Sequence, residues 1–342
     1  LTTRMKKLVD VLVCLIVEKY GSNEFLRRLS DPLWFQAFGC VLGFDWHSSG
    51  LTTVVTGVLK DTLTFDRHRV VVAGGKGRAS KKTQPEIEEI GSRIGFSTTK
   101  IEEMKYASRM AAKVDTAAVQ DGYPIYHHTF FISEAGEWSV VQQGLNIEER
   151  LARRYHWLSE KVESFVEEPH TAIVGWARVP KVLDMTAKAS AENRKVCVDL
   201  VKGNPANLIT SIRRLASQDM PLETWISGAT LSSNYLAYSM PSRLDWSIFH
   251  QLYDTRPKSY EELLAFKGVG PSTVRALALV SELVYGAPVS WQDPVKFTFA
   301  HGGKDGVPFP VNREVMDESI RMLKGAVESL EVERKDMVTA LN

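Results

Sequence analysis

The stretch LLAFKGVGPSTVRALALV, positions 263–280, decides how the rest of the chain is read, because its residue order prescribes a helix, a tight turn and a second helix. Positions 260–267 form the first helix, Gly268, Val269 and Gly270 turn the chain, and Pro271 stands in the first turn of the next helix, where its missing N–H costs nothing. Both glycines are expected to supply positive φ where a Cβ is not tolerated. The amides after Gly268 then point outward without an intrahelical acceptor, at the positive end of the helix dipole, an arrangement that suits a phosphate. Ser272 and Thr273 add hydroxyl donors and Lys267 and Arg275 add charge, while Leu263, Leu264, Val269, Val274, Leu277 and Ala278 are spaced to pack the two helices together.

This order of apolar residues, glycines, proline and threonine resembles the helix-hairpin-helix (HhH) motif, a module that grips nucleic-acid backbones. The alternative is an ordinary helical hairpin with a glycine turn. Phosphate contacts position a protein without carrying sequence information, so the chemistry is expected elsewhere. The resemblance implies nucleic-acid contacts by Lys267, Gly268, Val269, Gly270, Ser272, Thr273 and Arg275.

At 342 residues with 44% hydrophobic content, the chain has room for two globular domains. Its 42 basic and 41 acidic residues nearly cancel, so a nucleic-acid site has to be a local patch. Cys14, Cys40 and Cys197 show no CxxC spacing, which argues against a zinc knuckle, an iron–sulfur cluster or a secreted disulfide scaffold. No apolar run is long enough to span a bilayer. A cytoplasmic protein with no membrane partner is expected.

Taken in order, positions 3–20 and 23–29 read as helices, and the almost wholly apolar 33–44 as core. Asp45, Trp46, His47, Ser48 and Ser49 follow at once, either as a site or as a capped turn before the run 51–59. Positions 69–73 read as a short strand running into a basic, glycine-rich segment, 74–82, whose order fits neither the P-loop nor the dinucleotide fingerprint. It is read as a flexible loop in which Lys76, Arg78 and Lys81 touch a nucleic-acid backbone, or as a solvated loop without a ligand. Helices are expected over 85–94 and 97–113.

The segment KVDTAAVQDGYPIYHH, 113–128, is the densest polar cluster, next to a clear hairpin of strands 129–133 and 137–144. Oxygen ligands gathered at a sheet end suit a magnesium or manganese phosphodiesterase, in which the metal offsets charge on the scissile phosphate and activates a water. Strand alternation sends His127 and His128 to opposite sides, so one of them is expected to be structural. The competing reading makes Asp121 and Gly122 a turn and has the histidines satisfy buried hydrogen bonds. Positions 148–161 read as a helix with Arg150, Arg153, Arg154 and His156 on a basic face that suits a phosphodiester strand, or as a salt-bridged helix. Further helices are expected over 184–202, 205–218 and 312–335, and a loop over 291–310.

With these residues in view, the whole chain resembles the family called domain of unknown function 763. The likeness rests on LRRLSDPLWFQAFGCVLGFDWHSSGLTT (26–53), KVDTAAVQDGYPIYHHTFF (113–131), VVQQGLN (140–146), ARRYHWLS (152–159), VESFVEEPHTAIVG (162–175), KGVGPSTVRALALVSELVYGAP (267–288) and FAHGGKDGVPFPV (299–311). It implies the nuclease class without naming a substrate. Members carry a preceding segment with a Pro-Leu-His-Gly-Gly-like stretch that this sequence does not contain. A second resemblance, to HhH base-excision glycosylases, aligns Gly286, Pro288 and Asp293 with a glycine, a proline and a catalytic aspartate. Ser272 stands where the bifunctional members carry their nucleophilic lysine, so the resemblance implies only a monofunctional glycosylase.

The expectation is an α+β protein: residues 1–240 a mixed helix and sheet domain carrying the chemistry, and residues 241–342 a helical domain holding nucleic acid, DNA before RNA. The expected reaction is metal-assisted phosphodiester hydrolysis in repair or nucleic-acid processing. Asp45, Asp115 and Asp121 are the expected ligands of a divalent ion, magnesium or manganese, His47 or His128 the general acid or base, and Lys76, Lys81, Arg153 and Arg154 the residues that hold the strand. A glycosylase using Asp293 and a non-catalytic DNA-binding module are the alternatives. A homodimer is expected because one hairpin grips only a short length of backbone.

Overall fold

The computed structural model of the chain describes residues 2–43, 50–217 and 239–298. Its centre is a six-stranded sheet in the order β1-β3-β4-β5-β6-β8, made of β1 (Val70–Lys76), β3 (Ile125–Ser133), β4 (Trp138–Asn146), β5 (Leu151–Leu158), β6 (Ala172–Gly175) and β8 (Phe297–Thr298). Neighbours run antiparallel except β6 and β8, which are parallel. A second, two-stranded pair joins β2 (Val119–Gln120) to β7 (Leu183–Asp184).

Alternation along the strands divides the sheet's side chains between two helical layers. Val70, Val72, Phe131, Val141 and Leu158 pack on one side with α1 (Thr2–Tyr20), α2 (Ser22–Ser30), α3 (Pro32–Val41) and α4 (Leu51–Thr62). The short α5 (Phe65–His68) leads from that layer into β1. Val71, Ala73, Phe130, Ile132, Val140 and Trp157 pack on the opposite side. The helices there are α6 (Thr83–Ile94), α7 (Thr98–Lys113), α8 (Ala191–Lys202), α9 (Pro205–Ala216), α10 (Ser247–Thr255), α11 (Tyr260–Ala265) and α12 (Pro271–Tyr285). This is an α+β architecture, with an antiparallel-rich sheet covered on both faces. Residues on either side of position 240 share the second core: Cys197 and Leu277 lie in one cluster, and Asn193 donates to the carbonyls of Ala278 (3.0 Å) and Ala287 (2.8 Å).

Local chemistry sets the helix starts. Asp31 caps α3 by accepting from the amides of Leu33 and Trp34, with Pro32 in the first turn. Ser97 caps α7, Asn204 caps α9 ahead of Pro205, and Ser259 caps α11 by accepting from Glu262 N, while Glu262 accepts from Lys258 N. The chain leaves α7 through a π-helical turn, Val114–Ala118, which carries Asp115 inward. Such insertions shift the phase of a helix and often mark functional positions.

Four expectations are corrected. Residues 148–161 are not a helix; they hold strand β5 and the 3-10 turn Ser159–Lys161. Arg153, Tyr155 and Trp157 face one layer and Arg154, His156 and Leu158 the other, a period of two in which aromatic residues favour the strand. The basic segment 74–82 is no open loop: β1 runs through Lys76, and Gly77–Lys82 form a 3-10 helix. Helix 184–202 begins only at Ala191, because Leu183 and Asp184 pair with β2. At the 266–270 turn only Gly268 has positive φ (95°), whereas Gly270 is extended at −133°. The expected helix at 312–335 lies outside the described residues. Among the described residues no helix is long and apolar enough to cross a membrane.

Candidate functional site

The turn between α11 and α12 closes one wall of a cleft of about 480 Å³. Val269, Gly270 and Pro271 face Ser80 and Lys81 from the 3-10 helix, Gln84 from the first turn of α6, Ser108, Arg109 and Lys113 from the C-terminal half of α7, and Thr116 from the π-helical turn. His128 on β3 lies at the base. Lys81 and Arg109 are exposed and Lys113 is half-buried, and among the described residues no acidic one lines this cleft. Burial, reinforced by Arg109, pulls the Lys113 ammonium below the usual lysine range. Thr116 and Pro271 also line a neighbouring cleft of about 650 Å³, whose walls include Gln120, Tyr123, Lys181 and Arg275. Arg275 there donates to Gln120 Oε1 (2.9 Å). A Cβ added at Gly270 would meet nothing within 4 Å, so its backbone stands open to the first cleft.

Below the cleft runs a chain of buried hydrogen bonds. Ser108 Oγ lies 2.8 Å from His128 Nε2, and His128 Nδ1 lies 2.8 Å from Gln142 Oε1. Gln142 Nε2 donates to Asp115 Oδ2, which also accepts from Trp157 Nε1 (3.0 Å), and His170 Nε2 contacts Asp115 Oδ1. Register places His128 directly opposite Gln142 on β4. Burial holds the His128 imidazole below its ordinary range, so it is neutral at physiological pH.

A second network ties the sheet to the chain's later residues. Arg153 donates to Asp121 Oδ2 (3.0 Å) and to Asp293 Oδ1 (3.0 Å) and Oδ2 (2.7 Å), with its guanidinium 4.5 Å from the Tyr123 ring centroid. Tyr155 Oη donates to Asp121 Oδ2 (2.6 Å) and the Tyr123 amide donates to Oδ1 (3.0 Å). Burial pushes the Asp121 carboxyl up against the opposing pull of Arg153. Asp293 also accepts from the amides of Val179 (2.6 Å) and Val295 (3.0 Å), and its side chain is 1% exposed.

On the opposite sheet face, Arg154 is buried and donates to Gln36, Thr52, Pro32 O and His156, with no carboxylate among its partners in the described residues. Burial pushes its guanidinium down to about 9. His127 also lies on that face, with Nε2 2.9 Å from Thr56 Oγ1 and 2.7 Å from Thr129 Oγ1.

The structure therefore treats the expected residues unequally. Val269, Gly270, Lys81 and His128 meet in one cleft, and Arg275 lines its neighbour. Lys76 and Arg78 are exposed at the end of β1, and Lys267 and Gly268 are exposed on the turn. Ser272 is partly exposed and Thr273 is buried at 5%. Arg153 and Arg154 are buried on opposite faces, and neither offers a surface to a strand of nucleic acid. Asp45 and His47 lie outside the described residues. Asp115 and Asp121 face Trp157, His170, Arg153 and Tyr155, and each carboxylate oxygen already has a protein partner. Both border the cleft of about 650 Å³, but Asp121 already balances the buried Arg153 guanidinium and Asp115 is turned to Gln142, Trp157 and His170, so the pair does not fit as an open ligand set for magnesium or manganese. Ser108, Arg109, Lys113, Gln142 and His170 were not expected as site residues. The signal for Gln142 is strand alternation in VVQQG, which turns it toward the same layer as His128.

Asp10, Cys14 and His68 form a further group whose ligand atoms lie within 4.8 Å of one another. The Thr64 amide donates to His68 Nδ1 (3.1 Å), which leaves the ring proton on Nε2, 3.1 Å from Asp10 Oδ1. Asp10 is also clasped by Arg67 at 2.6 and 2.8 Å. Proton and guanidinium already hold the positions that a cation would take.

Fold and site together define an α+β protein with helices on both faces of its sheet and a cleft lined by Lys81, Arg109 and Lys113 beside a glycine-turned helical hairpin. The chain belongs to the family described as "Protein of unknown function (DUF763)", whose profile matches residues 1–311. No curated protein and no solved structure matches it.

Proposed function

We propose that this protein binds the phosphodiester backbone of nucleic acid, DNA before RNA, in the cleft between the 266–270 turn and the C-terminal half of α7. The observation that carries this reading is the convergence of three basic side chains, Lys81, Arg109 and Lys113, with the open Gly270 backbone in a cleft that no acidic residue lines among the described residues. A phosphate oxygen there meets cations and amide donors. Lys267 on the exposed turn extends the same positive surface. The helix-hairpin-helix resemblance supports the same ligand class, and cytoplasmic nucleic acid is the partner it suits. Asp293, locked between Arg153 and backbone amides, favours a structural role over a glycosylase's catalytic one.

The test is the affinity for labelled single-stranded DNA, double-stranded DNA and RNA across a salt series. Log affinity should fall linearly with log salt, and Arg109→Ala and Lys113→Ala should each reduce the slope by about one. Affinity that is indifferent to salt, or no binding to any of the three, refutes the reading.

A further inference from the structure

We propose that Ser108 is a nucleophile, activated by His128 and oriented through Gln142, which cleaves a phosphodiester in the cleft by way of a covalent phosphoryl-serine. The substrate class rests on the binding reading above, whereas the chemistry rests on separate observations.

The first is the direction of the serine. Several hydroxyls within helices of this chain donate back to the preceding turn: Thr210 to Ala206 O (2.7 Å), Ser211 to Asn207 O (3.1 Å) and Thr255 to Gln251 O (2.7 Å). Ser108, in the interior of α7, is directed instead at His128 Nε2, 2.8 Å away.

The second is the assignment of protons. Asp115 accepts from Trp157 Nε1–H, and the amide nitrogen of Gln142 also faces it, so the Gln142 carbonyl is turned to His128. A carbonyl opposite Nδ1 places the ring proton there and leaves the Nε2 lone pair for the Ser108 hydroxyl. Nucleophile, base and orienting group thus stand in the order that activates a serine. The imidazole is buried and neutral, which is the form that accepts a proton.

The third is access and charge. Ser108 and His128, only 2% and 4% exposed, form part of the floor of the 480 Å³ cleft, beside Arg109, Lys113 and Lys81. A phosphoryl group carries the negative charge that these side chains complement, which an ester or amide carbonyl does not.

In the first step Ser108 Oγ forms a bond to phosphorus, its proton passes to His128 Nε2, and the bond from phosphorus to one ribose oxygen breaks. That oxygen leaves with the proton from His128. In the second step water gives its proton to His128 and attacks phosphorus, the phosphoryl-serine bond breaks, and Ser108 Oγ recovers the proton. No redox partner is consumed.

The experiment uses the full chain with labelled oligonucleotides in the presence of a chelator, followed by acid quench, denaturing electrophoresis and mass spectrometry of the peptide containing Ser108. Fragments and label on Ser108 are expected. Ser108→Ala should abolish the label and slow turnover roughly 10³-fold while oligonucleotides still bind, and Gln142→Met should lower kcat with KM nearly unchanged. Oligonucleotide that binds wild type but is cut equally by Ser108→Ala, or is never cut, overturns the nucleophile and leaves the binding reading standing. Loss of binding in wild type overturns the binding reading instead; bis(p-nitrophenyl) phosphate then tests Ser108 alone, and no Ser108-dependent release of nitrophenolate overturns it.

Discussion

Arg153 condenses the structural logic into one side chain. Its guanidinium holds two carboxylates that come from 32 residues upstream and 140 residues downstream, and its side chain is 0% exposed. Breaking a buried ion pair leaves charge without compensation, at a cost of roughly 3–5 kcal/mol. Arg153→Ala is therefore expected to lower unfolding stability in urea by about that amount, with Asp121 and Asp293 left facing each other's environment. A loss of less than about 1 kcal/mol, the range of surface pairs, would contradict the network. The residue also explains a misreading. Paired arginines followed by an imidazole invite an exposed basic face, because arginine is seldom buried without partners. Both of its partners are remote in sequence, and neither Asp121 nor Asp293 is marked as an ion pair by local pattern. Gln142 is different: its register with His128 follows from the hairpin, which was legible.

At the scale of elements, the hairpin turn separates two glycines that look alike in the sequence. Gly268 needs φ of 95°, and a Cβ there would lie 2.4 Å from Ile248 Cδ1. Gly270 is extended and has open space. Gly268→Ala should cost about 1–2 kcal/mol from left-handed backbone alone, whereas Gly270→Ala should cost about 1 kcal/mol or less through its weaker N-cap. Urea midpoints of the two variants check the difference, and equal losses would mean that the turn has another geometry. The elements that were legible have strong local signals: the Glu134-Ala135-Gly136 turn between β3 and β4, and the helix that Ser97 opens, α7. Strand β5 was not, because charge spacing at three and four residues imitates a helix while its period of two is carried by large polar residues on both faces. The 3-10 helix at Gly77–Lys82 was obscured by glycines and lysines that read as a solvated loop.

Over the whole molecule, three imidazoles on the sheet are kept neutral by burial. His127 is pushed down to about 3, and His128 and His156 are also lowered. The unfolded chain binds protons at these sites below its ordinary value of 6.5, before the folded chain does. Their contribution is therefore complete above 6.5 and is lost as pH falls toward the depressed values, by about 1.4 kcal/mol per pH unit for each histidine. Asp121 and Asp184, both raised by burial, act in the opposite direction just above the ordinary value of 3.8. Stability to urea should decline between pH 6.5 and 5, and His127→Asn should make that decline shallower. A flat profile would mean that these imidazoles are not buried neutral. The α+β class was legible because the hairpin and the helical periodicities are local. The sharing of one core across position 240 was not, because it depends on α8 meeting α12.

The outermost strand, β8, docks beside β6 although more than a hundred residues of chain lie between them, and Asp293, Arg153's second carboxylate, is supplied just ahead of it. During synthesis the ribosome must therefore release nearly all of the described chain before that flank of the sheet is covered and Arg153 gains its second carboxylate. Until then the nascent chain presents β6 to whatever strand it encounters, and a chaperone that shields this border has a defined interval in which to act.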